Sequence, residues 1–154
     1  MSKEMKLEQF IGIFPTALNE EVCSEFVKCF DKISKHNLTM SSMEDRQKMP
    51  PTFRKDEVIH IPKATLPHKC SSDGLNNILW ENLTECLNVY KFDNNLLDSL
   101  TAYDYKIHRV QPTGGYHLWH HENSFISPYR VLVWMIIIEA PARGGETEFL
   151  HQSM

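Results

Sequence analysis

Gly114-Gly115-Tyr116-His117-Leu118-Trp119-His120-His121-Glu122 places a histidine and a carboxylate two residues apart, directly behind a glycine turn. Side chains of a β-strand alternate between faces, so residues i and i+2 project to the same side. A strand over 116–122 therefore aims His120 and Glu122 at one point and turns His121 away. One imidazole and one carboxylate are two of the three donors of a facial 2-His-1-carboxylate iron site. The tripeptide alone carries little weight, because a histidine beside a glutamate on a strand is more often a hydrogen-bonded surface pair. Its surroundings raise that weight. His108, His117 and His121 lie close by, an apolar run follows, and a second Gly-Gly pair stands at 144–145.

Outward from this stretch the chain reads as β. Tyr105-Lys106-Ile107-His108-Arg109-Val110-Gln111 alternates in polarity, and Pro112-Thr113-Gly114-Gly115 punctuates it as a turn. Residues 131–138 form an apolar run of strand length, rich in β-branched side chains, which predicts a strand buried on both faces. Pro141-Ala142-Arg143-Gly144-Gly145 then turns the chain into Glu146-Thr147-Glu148-Phe149-Leu150, another alternating segment.

The N-terminal portion reads as helical. Residues 7–18 are a short apolar lead-in ending at Phe14-Pro15. Asn19 is a candidate N-cap, with Glu20 and Glu21 in the first turn where acids suit the helix dipole. Val22, Phe26, Phe30 and Ile33 recur at helical spacing, which predicts an amphipathic helix over 19–35. The polar stretch 36–52 reads as a loop, and 58–61 as a short strand before Pro62. Ser72 or Asp73 can cap a second helix carrying Leu75, Ile78, Leu79, Leu83, Leu87 and Tyr90 on one side, with Asp93-Asn94-Asn95 ending it. The order is helices first, then the opening strands of a sheet or barrel.

A chain of 154 residues fits one domain and can bury a core. A net charge of −4 argues against a general nucleic-acid binder, which shows a basic patch. No segment reaches the roughly 20 apolar residues needed to cross a bilayer. Met1-Ser2-Lys3-Glu4-Met5-Lys6 leads into no apolar signal core, so a cytoplasmic location without membrane attachment is expected. Cys23, Cys29, Cys70 and Cys86 form no CxxC pair, and reduced, packed thiols are the expectation.

Three stretches together resemble the iron(II)/2-oxoglutarate dioxygenases of the prolyl 4-hydroxylase type: residues 114–122, Arg130-Val131-Leu132, and Gly144-Gly145-Glu146-Thr147-Glu148-Phe149-Leu150. Their order and spacing match over about residues 103–152. The resemblance implies an α+β fold in which N-terminal helices pack on the first strands of a double-stranded β-helix, a jelly-roll or cupin-like barrel. It implies one domain over 1–154, with 1–100 as helical support and 101–154 as the first half of the barrel. His120 and Glu122 become the iron ligands and the catalytic pair. Gln111 falls near a 2-oxoglutarate-binding tyrosine of the family, and its amide can also hydrogen-bond a carboxylate.

The implied reaction oxidises a C–H bond of a small-molecule or peptidyl substrate with O₂ and 2-oxoglutarate, giving succinate and CO₂. Fe(II) is the metal, with ascorbate a further cofactor candidate. Glu122 stands where the family has aspartate, Trp119 where it commonly has proline, and Val133 where it has threonine. The family's distal iron histidine and its 2-oxoglutarate-binding Lys or Arg have no counterpart among these residues. The chain is thus expected to hold the N-terminal part of such a domain and to be inactive alone, with a homodimer forming through the open β face. The segment 36–57, with Arg54-Lys55-Asp56, reads as a solvated linker or a substrate lid. Two other readings compete: a non-enzymatic β-rich binding module whose histidines pack or hold a structural metal, and a cupin-like metal enzyme with other ligands.

Overall fold

The computed structural model describes residues 3–41, 54–62, 73–94, 100–102, 104–116, 119–123, 125 and 128–152. Among these, the elements follow in the order β1 (Lys6–Glu8), β2 (Ile11–Ile13), α1 (Glu20–Lys35), β3 (Met40–Ser41), β4 (Arg54–Lys55), β5 (Glu57–Pro62), α2 (Asp73–Asp93), β6 (Asp104–Arg109) and β7 (Gly115–Tyr116). The mixture is α+β. The strand orders are β1-β2, β3-β5-β6 and β4-β7, and among the described residues no jelly roll closes. The chain divides into two compact units, Met1–Leu38 with Ile59–Ile107 and Thr39–Val58 with His108–Met154.

In the first unit α1 forms where its pattern predicts. The Asn19 side chain accepts the Val22 N–H at 2.8 Å, satisfying one orphan donor of the first turn. Glu20 and Glu21 stand at the positive end of the dipole, and Lys32 and Lys35 at the negative end. The helix stops in a Schellman arrangement that composition alone leaves as loop. Asn37 adopts φ 54°, the Leu38 N–H reaches the Ile33 carbonyl at 3.2 Å, and the Asn37 N–H reaches that of Ser34 at 2.9 Å.

Phe26, Phe30 and Ile33 of α1, Leu79 of α2, Ile59 and Ile61 of β5 and Tyr105 of β6 form the buried core of this unit. Trp80 meets Tyr105 edge-on, ring centroids 5.8 Å apart. Of the apolar stripe expected on α2, only Leu79 is buried and the others are half-buried.

The lead-in expected at 7–18 contains a hairpin, with Lys6 opposite Ile13 and Glu8 opposite Ile11. Its two-residue turn puts Gln9 at φ 45° and Phe10 at φ 69°, both left-handed, the requirement of the type I′ turn that suits strand twist. The hairpin is held by α2. The Tyr90 hydroxyl donates to the Phe10 carbonyl at 2.6 Å, and the Tyr90 ring lies so close to Gly12 that a Cβ there would stand 2.7 Å from it.

The second unit has a much thinner interior, Val58 being its one buried apolar residue among those described. Met40 pairs with Val58 and Ser41 with Glu57, and Arg54 pairs with Tyr116 and Lys55 with Gly115. Arg54 and Lys55 therefore belong to a strand rather than to a linker or lid, which corrects that expectation for these residues; 42–53 lie outside the described residues.

Three strand expectations also need correction. β7 covers only Gly115–Tyr116, and 119–123 form no strand. Residues 131–137 join no ladder, and Val131, Val133, Met135 and Ile137 are exposed while Leu132, Trp134, Ile136 and Ile138 are half-buried. That two-residue alternation belongs to a chain covered on one side, not buried on both. Residues 144–149 join no ladder either and are exposed throughout.

The cysteine expectation fails at one position. Cys29 is disulfide-bonded, whereas Cys23 and Cys86 are free and half-buried; Cys70 lies outside the described residues. Burial pushes the Cys86 thiol above its ordinary value. No described helix is long and apolar enough to cross a membrane.

Candidate metal centre

The site lies in the second unit and is entered through a strained turn. The Gly114 N–H donates to the Gln111 carbonyl at 2.8 Å, closing Gln111-Pro112-Thr113-Gly114 as a β-turn. Thr113 sits at φ 66°, as the third residue of a type II turn must, although its branched Cβ disfavours that region. Gly115, at φ 130°, then starts β7.

Beyond β7 the chain brings His120 and Glu122 together without a strand at that point. His120 Nε2 stands 3.4 Å from Glu122 Oε1, and both side chains are a little under half exposed. Two donors bound to one first-row divalent ion at about 2.1 Å each stand roughly 3 Å apart at a right angle. The pair thus has nearly the spacing of two neighbouring ligands. It also has the spacing of an ordinary imidazole–carboxylate pair.

The other carboxylate oxygen is engaged as well. Arg130 Nη1 donates to Glu122 Oε2 at 2.5 Å. Eight residues separate these partners, and Asn123 explains their meeting. Its side-chain amide donates to the Pro128 carbonyl at 3.0 Å and to the Arg130 carbonyl at 3.4 Å, folding the loop back on its own start. His121 turns to a different partner, its Nδ1–H donating to the Asn123 carbonyl. Arg130 opens the Arg130-Val131-Leu132 stretch singled out in the sequence, but nothing there marks it as a partner of Glu122, and Asn123 belongs to no motif. An Asn opening a turn-rich segment is the only signal that points to the loop closure.

Gln111 is exposed at the head of the turn, and its main-chain carbonyl has the structural role described above. Among the described residues no group of three or more His, Cys, Asp or Glu stands close enough to hold a metal ion, and His117 lies outside them. His120 and Glu122 fit two positions of a metal's coordination sphere; the described residues offer no third.

The remaining strand histidines face carboxylates. His60 Nε2 lies 2.6 Å from Asp104 Oδ2, between β5 and β6. His108 Nδ1 lies 2.9 Å from Oδ2 of Asp56, whose side chain is only 5% exposed. Beside it, Arg109 donates to Glu57 through Nε at 3.0 Å and Nη2 at 2.6 Å, and the Thr39 hydroxyl donates to the other Glu57 oxygen at 2.8 Å. The commitment of His108 to Asp56 counts against it as a third ligand beside His120.

Compared with known protein families, curated proteins and solved structures, the chain finds no match.

Proposed function

We propose that the chain carries the proximal half of an iron(II)/2-oxoglutarate-dependent dioxygenase site, of the prolyl 4-hydroxylase type, with His120 and Glu122 as two of its metal donors. The observation that carries this reading is the 3.4 Å approach of His120 Nε2 to Glu122 Oε1. Support comes from the resemblance of residues 114–122, 130–132 and 144–150 to that family in order and spacing. In such a domain the flanking strands belong to a double-stranded β-helix, and Gln111 would hydrogen-bond 2-oxoglutarate.

Bound Fe(II) would supply the open coordination positions at which O₂ and 2-oxoglutarate react, ascorbate serving as an accessory reductant. The chain's own contribution is orientation. Asn123 closes the loop, Arg130 holds the carboxylate, and His120 faces the remaining oxygen. A substrate, small or peptidyl, would bind beside this pair. Half-exposed as it stands, the pair excludes water poorly.

A second reading has its own observation. His60 and His108 each sit against an aspartate, as in a β-rich binding module whose histidines serve packing and pairing. Anaerobic ferrous titration with 2-oxoglutarate, carried to millimolar metal, separates the two. The dioxygenase reading expects a weak visible charge-transfer band that disappears in the His120→Ala/Glu122→Ala double variant. No band in the parent chain, or an identical band in the double variant, overturns it.

A further inference from the structure

We propose that the β1-β2 hairpin is a detachable strap, latched onto one face of α2 by polar contacts, which lifts while the α1 and α2 core stays folded and so uncovers the stripe of α2 that includes Cys86. Asn82, Cys86 and Tyr90 follow one another at four-residue spacing, which places them along one side of the helix. The N-terminal segment is fastened at both ends of that stripe. At one end the Lys3 ammonium donates to Asn82 Oδ1 at 2.5 Å and to the Ala17 carbonyl at 2.8 Å, with Glu85 Oε2 3.9 Å away. At the other, the Tyr90 hydroxyl donates to the Phe10 carbonyl at 2.6 Å and the Tyr90 ring lies against Gly12. Cys86 stands between the two latches and is half-buried. Burial pushes its thiol up while the Lys3 charge pulls it down, so the ammonium lies within electrostatic reach of the sulfur.

Little apolar burial holds the strap down. None of residues 3–19 is fully buried, and the core of this unit comes from α1, α2, β5 and β6. Two strands of three residues each make a ladder too short to stand alone in water. The order of the hairpin therefore depends on its attachment to α2. The left-handed backbone of Gln9 and Phe10 adds strain that release relieves. Lifting the strap leaves Phe26, Phe30, Ile33, Leu79 and Tyr105 in their core, and elements with so few buried contacts are the ones that open first.

The test follows opening in the full chain by two readouts: amide hydrogen exchange across residues 6–13, and alkylation of Cys86 by iodoacetamide, read on its own peptide by mass spectrometry. In the parent, both should depend on low concentrations of urea far less steeply than exchange in α1, because lifting the strap exposes less surface than unfolding the unit. Hairpin amides or Cys86 following the slope of α1 would mean that the strap opens only with the whole unit, and would overturn the proposal without any variant. Tyr90→Phe keeps the ring on Gly12 and deletes the hydroxyl. It should speed hairpin exchange and Cys86 alkylation by the same factor, roughly fivefold or more, the worth of one hydrogen bond. Lys3→Met removes a charged donor and should speed hairpin exchange further; exchange alone is its readout, since the lost charge also acts on the thiol. Unaltered hairpin exchange in both variants removes the latches, and faster exchange with unaltered Cys86 alkylation removes the cover.

Discussion

At the scale of single residues, the convergence of His120 and Glu122 was legible from their spacing, but its cause was not. The i, i+2 argument presumes a strand, and residues 119–123 are not in one. The loop closure at Asn123 and the Arg130 clamp accompany the meeting instead, and both depend on chain reversal over eight residues that no local periodicity encodes. Tyr105 shows the same division. Its place on an alternating strand was readable, whereas its environment depends on Trp80 of α2. Burial pushes its phenol up to about 12, from an ordinary value of 10.0. The folded chain thus holds this proton more tightly than the unfolded chain. The associated stability is complete below pH 10.0 and is lost as pH rises towards about 12. Chemical denaturation of the parent across that window should show a decline that Tyr105→Phe lacks; parallel curves would count against the burial argument.

At the scale of elements, the helices followed their patterns because each carries its own signals. Asn19, the acidic first turn and the apolar spacing of α1 act within a few residues. The β1-β2 hairpin has no local signal in the sequence, because a Gln-Phe turn lacks the Asn-Gly signature that such geometry favours. Phe10, 81% exposed at φ 69°, accepts backbone strain with little burial in return. Phe10→Gly should therefore raise unfolding free energy by about 1 kcal/mol, the order of the left-handed penalty removed. Thermal melts would check it, since the Tyr90 hydroxyl bonds to a main-chain carbonyl that the substitution keeps. The C-terminal apolar segments behaved oppositely. Residues 131–138 have strand composition but join no ladder, because a strand is completed by a neighbour and not by itself.

At the scale of the molecule, the two units differ in how much apolar surface they bury. Among the described residues, seven of the eight buried core side chains belong to the first unit, and Val58 alone to the second. Stability should be distributed accordingly. Amide hydrogen exchange is expected to show strong protection in α1 and around Leu79 and Tyr105, with near-complete exchange within seconds to minutes over 128–152. Protection of 131–138 equal to that of α1 would contradict this distribution. Val131, Val133, Met135 and Ile137 form an exposed apolar row, and it is this row that the homodimer expectation would have to use. Sedimentation of a Val133→Lys/Ile137→Lys variant should shift towards monomer, and an unchanged distribution would place self-association elsewhere.

What the amino-acid sequence determined alone was local: the extent of α1 and α2, the strands at β5 and β6, and the turn at 112–115. These depend on caps, periodicity and neighbours a few residues away. Tertiary structure decided which strands found partners, that Arg54 and Lys55 pair with β7, that His60 and His108 face aspartates, and that Arg130 holds Glu122. Each of those contacts joins residues between 8 and 62 positions apart. Their formation depends on loop closure and on what else is available to bury, and no short stretch of sequence carries that information.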